Sequence, residues 1–174
     1  MSNSVSIQPV GNHVSRWGEG PRFWNNVLFY VDIEGHALIR LGLDPIHEDV
    51  WDVGERIGTV APTRDGSLLC AGDSGIFSFC LQGAEKKLLV DPESHKRPDN
   101  RFNDGLCDPS GRFWAGTMST IKQTGDASLY MLDHEGCLHK KIDHVTNSNG
   151  ICWNATASLM YYIDTPTKKV LAYT

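Results

Sequence analysis

Three polar stretches of the 174-residue sequence carry residue types able to do chemistry at the mouth of a strand. The first is Gly18-Glu19-Gly20-Pro21-Arg22, a carboxylate between two glycines. Glycine lets the backbone turn sharply and lets a ligand come close. The second runs Asp99-Asn100-Arg101-Phe102-Asn103-Asp104-Gly105. Arg101 offers a rigid fork of donors, and Asn103 offers both a donor and an acceptor. Such groups suit a polyhydroxylated ligand with a carbonyl. The third is Thr146-Asn147-Ser148-Asn149-Gly150. Carboxylate and amide oxygens, as on Glu19 and Asn149, suit a hard divalent cation. Taken singly, each stretch also reads as an ordinary turn: an exposed Glu, an Asx-rich turn and an Asn-Gly hairpin signal.

Their placement along a repeat gives them weight. Short runs rich in β-branched and aromatic residues recur: Val27–Ile33, Leu38–Leu41, Ser67–Ala71, Gly75–Leu81, Arg112–Thr117, Ser128–Leu132, Leu159–Asp164 and Lys169–Tyr173. Runs of this length between turn residues predict antiparallel strands, and no long stretch holds a helical apolar period. A polar turn stands before each pair of runs, around Asn25, Asp65, Ser110 and Ala155. Its spacing is 40, 45 and 45 residues. A period of about 40–50 residues with about four strands per unit marks propeller blades, whereas a β-sandwich has no reason for it. The sequence therefore predicts an all-β propeller of four-stranded antiparallel blades. Residues 1–174 form one domain of three and a half to four blades, expected to be cut short at its C-terminus. Glu19, Asn103 and Asn149 fall at a similar phase near the start of successive blades. Equivalent positions on innermost strands converge on one axis, so distant residues can share one site.

Composition narrows the function classes. Formal net charge is -5, from 16 Lys and Arg against 21 Asp and Glu. No basic stripe is present, which argues against nucleic acid as a partner. Residues 1–12 lack the apolar segment of a secretory signal, and no apolar run approaches the ~20 residues of a membrane span. A soluble, cytoplasmic protein with no membrane partner is expected. Five cysteines without CxxC spacing predict buried free thiols rather than disulfides or a zinc knot. The seven histidines are expected on the surface or in turns. No GxSxG motif supports a serine hydrolase.

At the three polar stretches the sequence resembles the regucalcin/gluconolactonase family, also called the senescence marker protein family. The resemblance continues through Asp108-Pro109, Ala115-Gly116-Thr117-Met118 and Tyr161-Tyr162-Ile163-Asp164-Thr165. It implies a six-bladed propeller, here incomplete, with one divalent metal ion in the central channel (calcium, zinc, magnesium or manganese). It implies hydrolysis of a sugar lactone such as gluconolactone, the small-molecule partner. On the resemblance, Glu19 and Asn149 match two metal ligands. Arg101 and Asn103 match substrate-contacting positions, with Asn103 near enough to the metal to hold a bound water. The third ligand, an Asp that doubles as general base, is expected beyond Thr174; Asp104 and Asp164 are not at its position. Ser119-Thr120-Ile121-Lys122 stands where animal members have an acidic substrate contact, so a different substrate preference is expected. With two of three protein ligands, this chain is expected to bind metal weakly and to show little activity alone. The alternatives are a calcium- or ligand-binding propeller without turnover, and an inactive truncated product.

Overall fold

The structure is a computed structural model describing residues 5–174; the first four residues of the polar N-terminal stretch lie outside the described residues. Fifteen strands follow one another among the described residues. They are β1 (Gly18–Trp24), β2 (Val27–Asp32), β3 (Ala37–Leu43), β4 (Ile46–Asp52), β5 (Ile57–Pro62), β6 (Leu68–Gly72), β7 (Gly75–Cys80), β8 (Glu85–Val90), β9 (Asn100–Cys107), β10 (Phe113–Ser119), β11 (Ala127–Leu132), β12 (Leu138–Val145), β13 (Ser148–Trp153), β14 (Met160–Asp164) and β15 (Leu171–Tyr173). Each pairs only with its sequence neighbours, giving sheets β1–β4, β5–β8, β9–β12 and β13–β15. These are up-and-down antiparallel meanders, the blade unit of a propeller.

Three apolar cores lie between the sheets, one for each neighbouring pair. Val31, Leu38 and Ile33 of the first blade meet Ile57, Phe77 and Phe79 of the second. Ala71 and Ile76 of the second meet Phe102, Phe113 and Tyr130 of the third. Trp114, Leu129 and Met131 of the third meet Met160 and Tyr162 of the fourth. Burying one such large side chain is worth about 1.5–3 kcal/mol, so face-to-face stacking, not strand pairing between blades, holds the arc. Trp114 and Trp153 add an edge contact across the last interface, with ring centroids 5.7 Å apart.

The sequence expectation of strand pairs holds, with a correction to their place. The polar turns join the first and second strands of each blade, so the runs expected as strands are the second and third strands. The outermost strands β4, β8 and β12 have little apolar alternation because they are mostly exposed on both faces. The innermost strands β1 and β13 hide their signal under Gly and polar residues. A second correction concerns the thiols. All five are free, but only Cys70 is buried; Cys80, Cys137 and Cys152 are exposed and Cys107 is intermediate. Cys80 ends β7, Cys137 immediately precedes β12 and Cys152 lies on β13. No helix among the described residues is long and apolar enough to cross a membrane.

Candidate functional site

The four innermost strands, β1, β5, β9 and β13, share a local defect. Each has one residue more than its partner over the same stretch. The slip falls between Glu19 and Arg22 in β1, Ile57 and Thr59 in β5, and Asn149 and Ile151 in β13. In β9 the residues Asn103 and Asp104 stand opposite the single Gly116. A bulge re-aims the side chains beside it and is frequent next to active sites. Glu19 and Asn149 each immediately precede a bulged glycine in the left-handed region, Gly20 at φ 59° and Gly150 at φ 63°. A side chain there would be strained, which explains the Glu-Gly and Asn-Gly pairs. Both Glu19 and Asn149 are exposed. The residues at the same register in the other blades, Ile57 and Phe102, bring no oxygen donor; Asn103, expected at that phase, stands one residue later, inside the bulge.

The innermost strands press against one another near these bulges. A Cβ placed on Gly58 would stand 2.6 Å from the carbonyl carbon and Cα of Asn103. Thr59 Oγ1 donates to the Gly105 carbonyl at 2.9 Å, joining β5 to β9. Asn103 Nδ2 donates to the Ser148 carbonyl at 2.8 Å, joining β9 to β13. Its Oδ1 accepts from Arg101 Nη1 at 3.1 Å, so both ends of the Asn103 amide are engaged by the protein. Asp104 makes the longest reach. Its carboxylate accepts from Gly150 N–H at 2.8 Å on the fourth blade and from Arg22 Nη2 at 3.4 Å on the first. Arg22 also donates to the Gly105 carbonyl. Asp104 and Arg22 thus tie the two bulges of Glu19 and Asn149 to the strand of Asn103. Both lie within the quoted sequence stretches, but nothing in their spacing announces the bond between them.

Arg101 is 5% exposed and lies at the base of this region. Nη1 donates to the Phe102 carbonyl at 2.8 Å, while Nε has no partner. Burial first, and then the like charge of Arg56, lowers its pKa from the ordinary guanidinium value. The negative charges of Asp73, Glu34 and Glu19 partly oppose that shift. Beside it, the buried Glu93 carboxylate accepts from Asn100 Nδ2 (2.9 Å), Thr117 Oγ1 (3.1 Å) and Tyr130 OH (2.9 Å). This network anchors the start of β9, which carries Arg101 and Asn103.

The donor chemistry fits a hard divalent cation. Glu19 offers a carboxylate with one bond, from Trp17 Nε1 at 3.1 Å, and Asn149 offers an amide oxygen. Two protein donors are fewer than the about 6–8 oxygens calcium takes, so water or further groups must complete the set. No group of three or more His, Cys, Asp or Glu among the described residues is arranged to hold a metal.

Comparison with known proteins identifies the family and the fold. The family model "SMP-30/Gluconolactonase/LRE-like region" matches residues 17–174. A Bacillus subtilis protein, YvrE, provisionally named a sugar lactone lactonase, is 34% identical over 169 residues, covering 90% of this chain and 54% of its own length. Regucalcin of Xenopus laevis is 33% identical over 178 residues, covering 97% of this chain and 58% of its own. The solved structure of a regucalcin from Agrobacterium tumefaciens, described as calcium-binding, superposes with a TM-score of 0.84 at 28% identity, covering 91% of this chain and 54% of that one. The chain therefore spans a little over half the length of these relatives. The family match over nearly all of its length and the shared propeller fold together mean that the chain belongs to the SMP-30/gluconolactonase/LRE-like family.

Proposed function

We propose that the chain forms part of a metal-dependent hydrolase of sugar lactones, contributing Glu19 and Asn149 to one divalent-cation site. The observation that carries the reading is their matched placement. Two exposed oxygen donors occupy the same register of two innermost strands, each before a bulged glycine. The names of the relatives support the substrate and metal classes: gluconolactonase in the family description, sugar lactone for YvrE, calcium for the Agrobacterium regucalcin.

A bound cation would supply Lewis-acid polarisation of a lactone carbonyl and a water of lowered pKa. Glu19 and Asn149 would hold it through hard oxygens. Arg101 and Asn103 are proposed to orient the sugar hydroxyls. A base must still take the proton of the attacking water. That base is proposed to be an Asp supplied from beyond Thr174.

The test is release of acid from gluconolactone, followed by pH indicator with calcium, zinc, magnesium or manganese and after chelation. It is run on this chain and on a form as long as its relatives. Metal-dependent hydrolysis that Glu19→Ala and Asn149→Ala abolish supports the reading. A longer form that binds the cation but never opens aldonolactones refutes the enzyme and leaves a cation-binding propeller.

A further inference from the structure

The bulges that present Glu19 and Asn149 are each backed by the same device. Asp32 ends β2 and Asp164 ends β14, one residue past the partners of Glu19 and Asn149. Both are buried. The Asp32 carboxylate accepts from Arg16 N–H at 3.0 Å and Trp17 N–H at 2.9 Å, three and two residues before Glu19. The Asp164 carboxylate accepts from Thr146 N–H at 3.2 Å and Asn147 N–H at 2.8 Å, three and two residues before Asn149. The backbone repeats the match. Ile33 N–H donates to the Trp17 carbonyl at 2.9 Å, and Thr165 N–H to the Asn147 carbonyl at 3.0 Å.

The other two blades lack this arrangement. In the second, Asp73 stands at the equivalent place but takes one backbone N–H, that of Arg56 at 3.2 Å, and pairs with the Arg56 guanidinium. Its strand brings Ile57 to the site. In the third, Met118 occupies the place, opposite Arg101, and Phe102 stands at the register of Glu19 and Asn149. The full clamp thus occurs in the two blades that present an oxygen donor, and only in those two.

We infer that Asp32 and Asp164 are positioning residues, matched carboxylate clamps that fix the backbone from which Glu19 and Asn149 are aimed. A carboxylate taking two successive backbone N–H groups holds both peptide planes by charge-assisted bonds. With the glycine bulge on its other side, the donor residue is pinned at both ends. Blade 1 is held further, since His13 Nε2 lies 3.2 Å from Asp32 and Glu48 accepts from the N–H of Asn12 and His13. The inference rests on the reading of Glu19 and Asn149 as cation donors, because groups behind metal ligands set their orientation.

The experiment compares Asp164→Ala, Asp164→Asn and Asp73→Ala in the full chain by amide NMR, without cation and during a calcium titration. In the cation-free chain, Asp164→Ala is expected to speed hydrogen exchange at Thr146 and Asn147 and to move the Asn149 and Gly150 resonances. Asp73→Ala, a comparable loss in a blade without a donor, should leave those four amides in place. On calcium addition, Asp164→Ala should weaken binding roughly 10- to 100-fold, the usual range for groups behind a metal ligand, and Asp73→Ala less than about twofold. Asp164→Asn keeps an oxygen acceptor without the charge, so it should fold if the alanine variant does not and give an intermediate loss. Unmoved Asn149 and Gly150 resonances in both Asp164 variants overturn the clamp, as does a calcium loss no larger than that of Asp73→Ala. If the unsubstituted chain shows no saturable calcium response, the cation reading fails, and the cation-free amides alone decide the clamp.

Discussion

Gly58 is the tightest point between the second and third blades, and its substitution by alanine measures how closely the innermost strands must approach. The new Cβ would stand 2.6 Å from two backbone atoms of Asn103. Carbon contacts become favourable only at about 3.5–4.0 Å. The obstacle is main chain, so no rotamer change relieves it; β5 and β9 must separate. Overpacking of this kind costs about 1–3 kcal/mol, and a backbone clash lies at the upper end. For a chain of this size, about 3 kcal/mol corresponds to a fall in Tm of roughly 6–12 °C. Gly42 is the control. A Cβ there meets nothing nearer than 3.5 Å, so alanine should change Tm little. Thermal melts followed by circular dichroism compare the two. The separation should also break the Asn103 Nδ2 bond to Ser148, seen as faster exchange and altered shifts of the Asn103 side-chain amide. A Gly58→Ala protein that melts with the unsubstituted chain would refute the close packing of these strands.

Three further outcomes follow from single groups. Burial pushes the Asp108 carboxyl up, but bonds from Trp114 and Arg112 outweigh it and hold its pKa below the ordinary value. A lowered carboxylate pKa stabilises the fold above the unfolded pKa of about 4 and loses that contribution as pH falls through the folded value. Tm should therefore drop on acidification below about pH 4, and less steeply in Asp108→Asn, as read by melts across pH. Glu93→Ala leaves Asn100, Thr117 and Tyr130 without their shared acceptor and should cost about 3 kcal/mol in urea unfolding, with Glu93→Gln costing less. At pH 8, dithionitrobenzoate should label Cys80, Cys137 and Cys152 quickly. Burial excludes Cys70 and pushes the Cys107 thiol up to about 11, so both should react only after denaturation.

Much of the fold was legible because turn chemistry repeats. The corners around Asn25, Asp65, Ser110 and Ala155 recur where a blade passes from its first to its second strand, and the apolar runs after them are blade interiors. Strands such as Glu85–Val90 were not legible, since a strand with exposed residues on both faces needs no alternation. The site was legible by residue type but not by linkage. Glu19 and Asn149 stand out beside glycines, yet the bulges beneath them depend on pairing across a sheet, which sequence spacing does not report. Asp32 and Asp164 read as ordinary strand-end residues; only the fold brings Arg16, Trp17, Thr146 and Asn147 against them. Asp104 was visible within its motif, but its reach to Gly150 and Arg22 joins residues 46 and 82 positions away.

The central claim is that Glu19 and Asn149 serve one cation. A calcium titration of the uniformly labelled chain, followed through the amide resonances, tests it most directly. The account predicts that the resonances of residues 18–20 and 149–150 move together along one saturation curve, and that Glu19→Ala or Asn149→Ala each removes both sets of shifts. Calcium-dependent shifts confined to exposed carboxylates such as Glu135 and Asp143, or shifts at one bulge that survive substitution of the other donor, would contradict it.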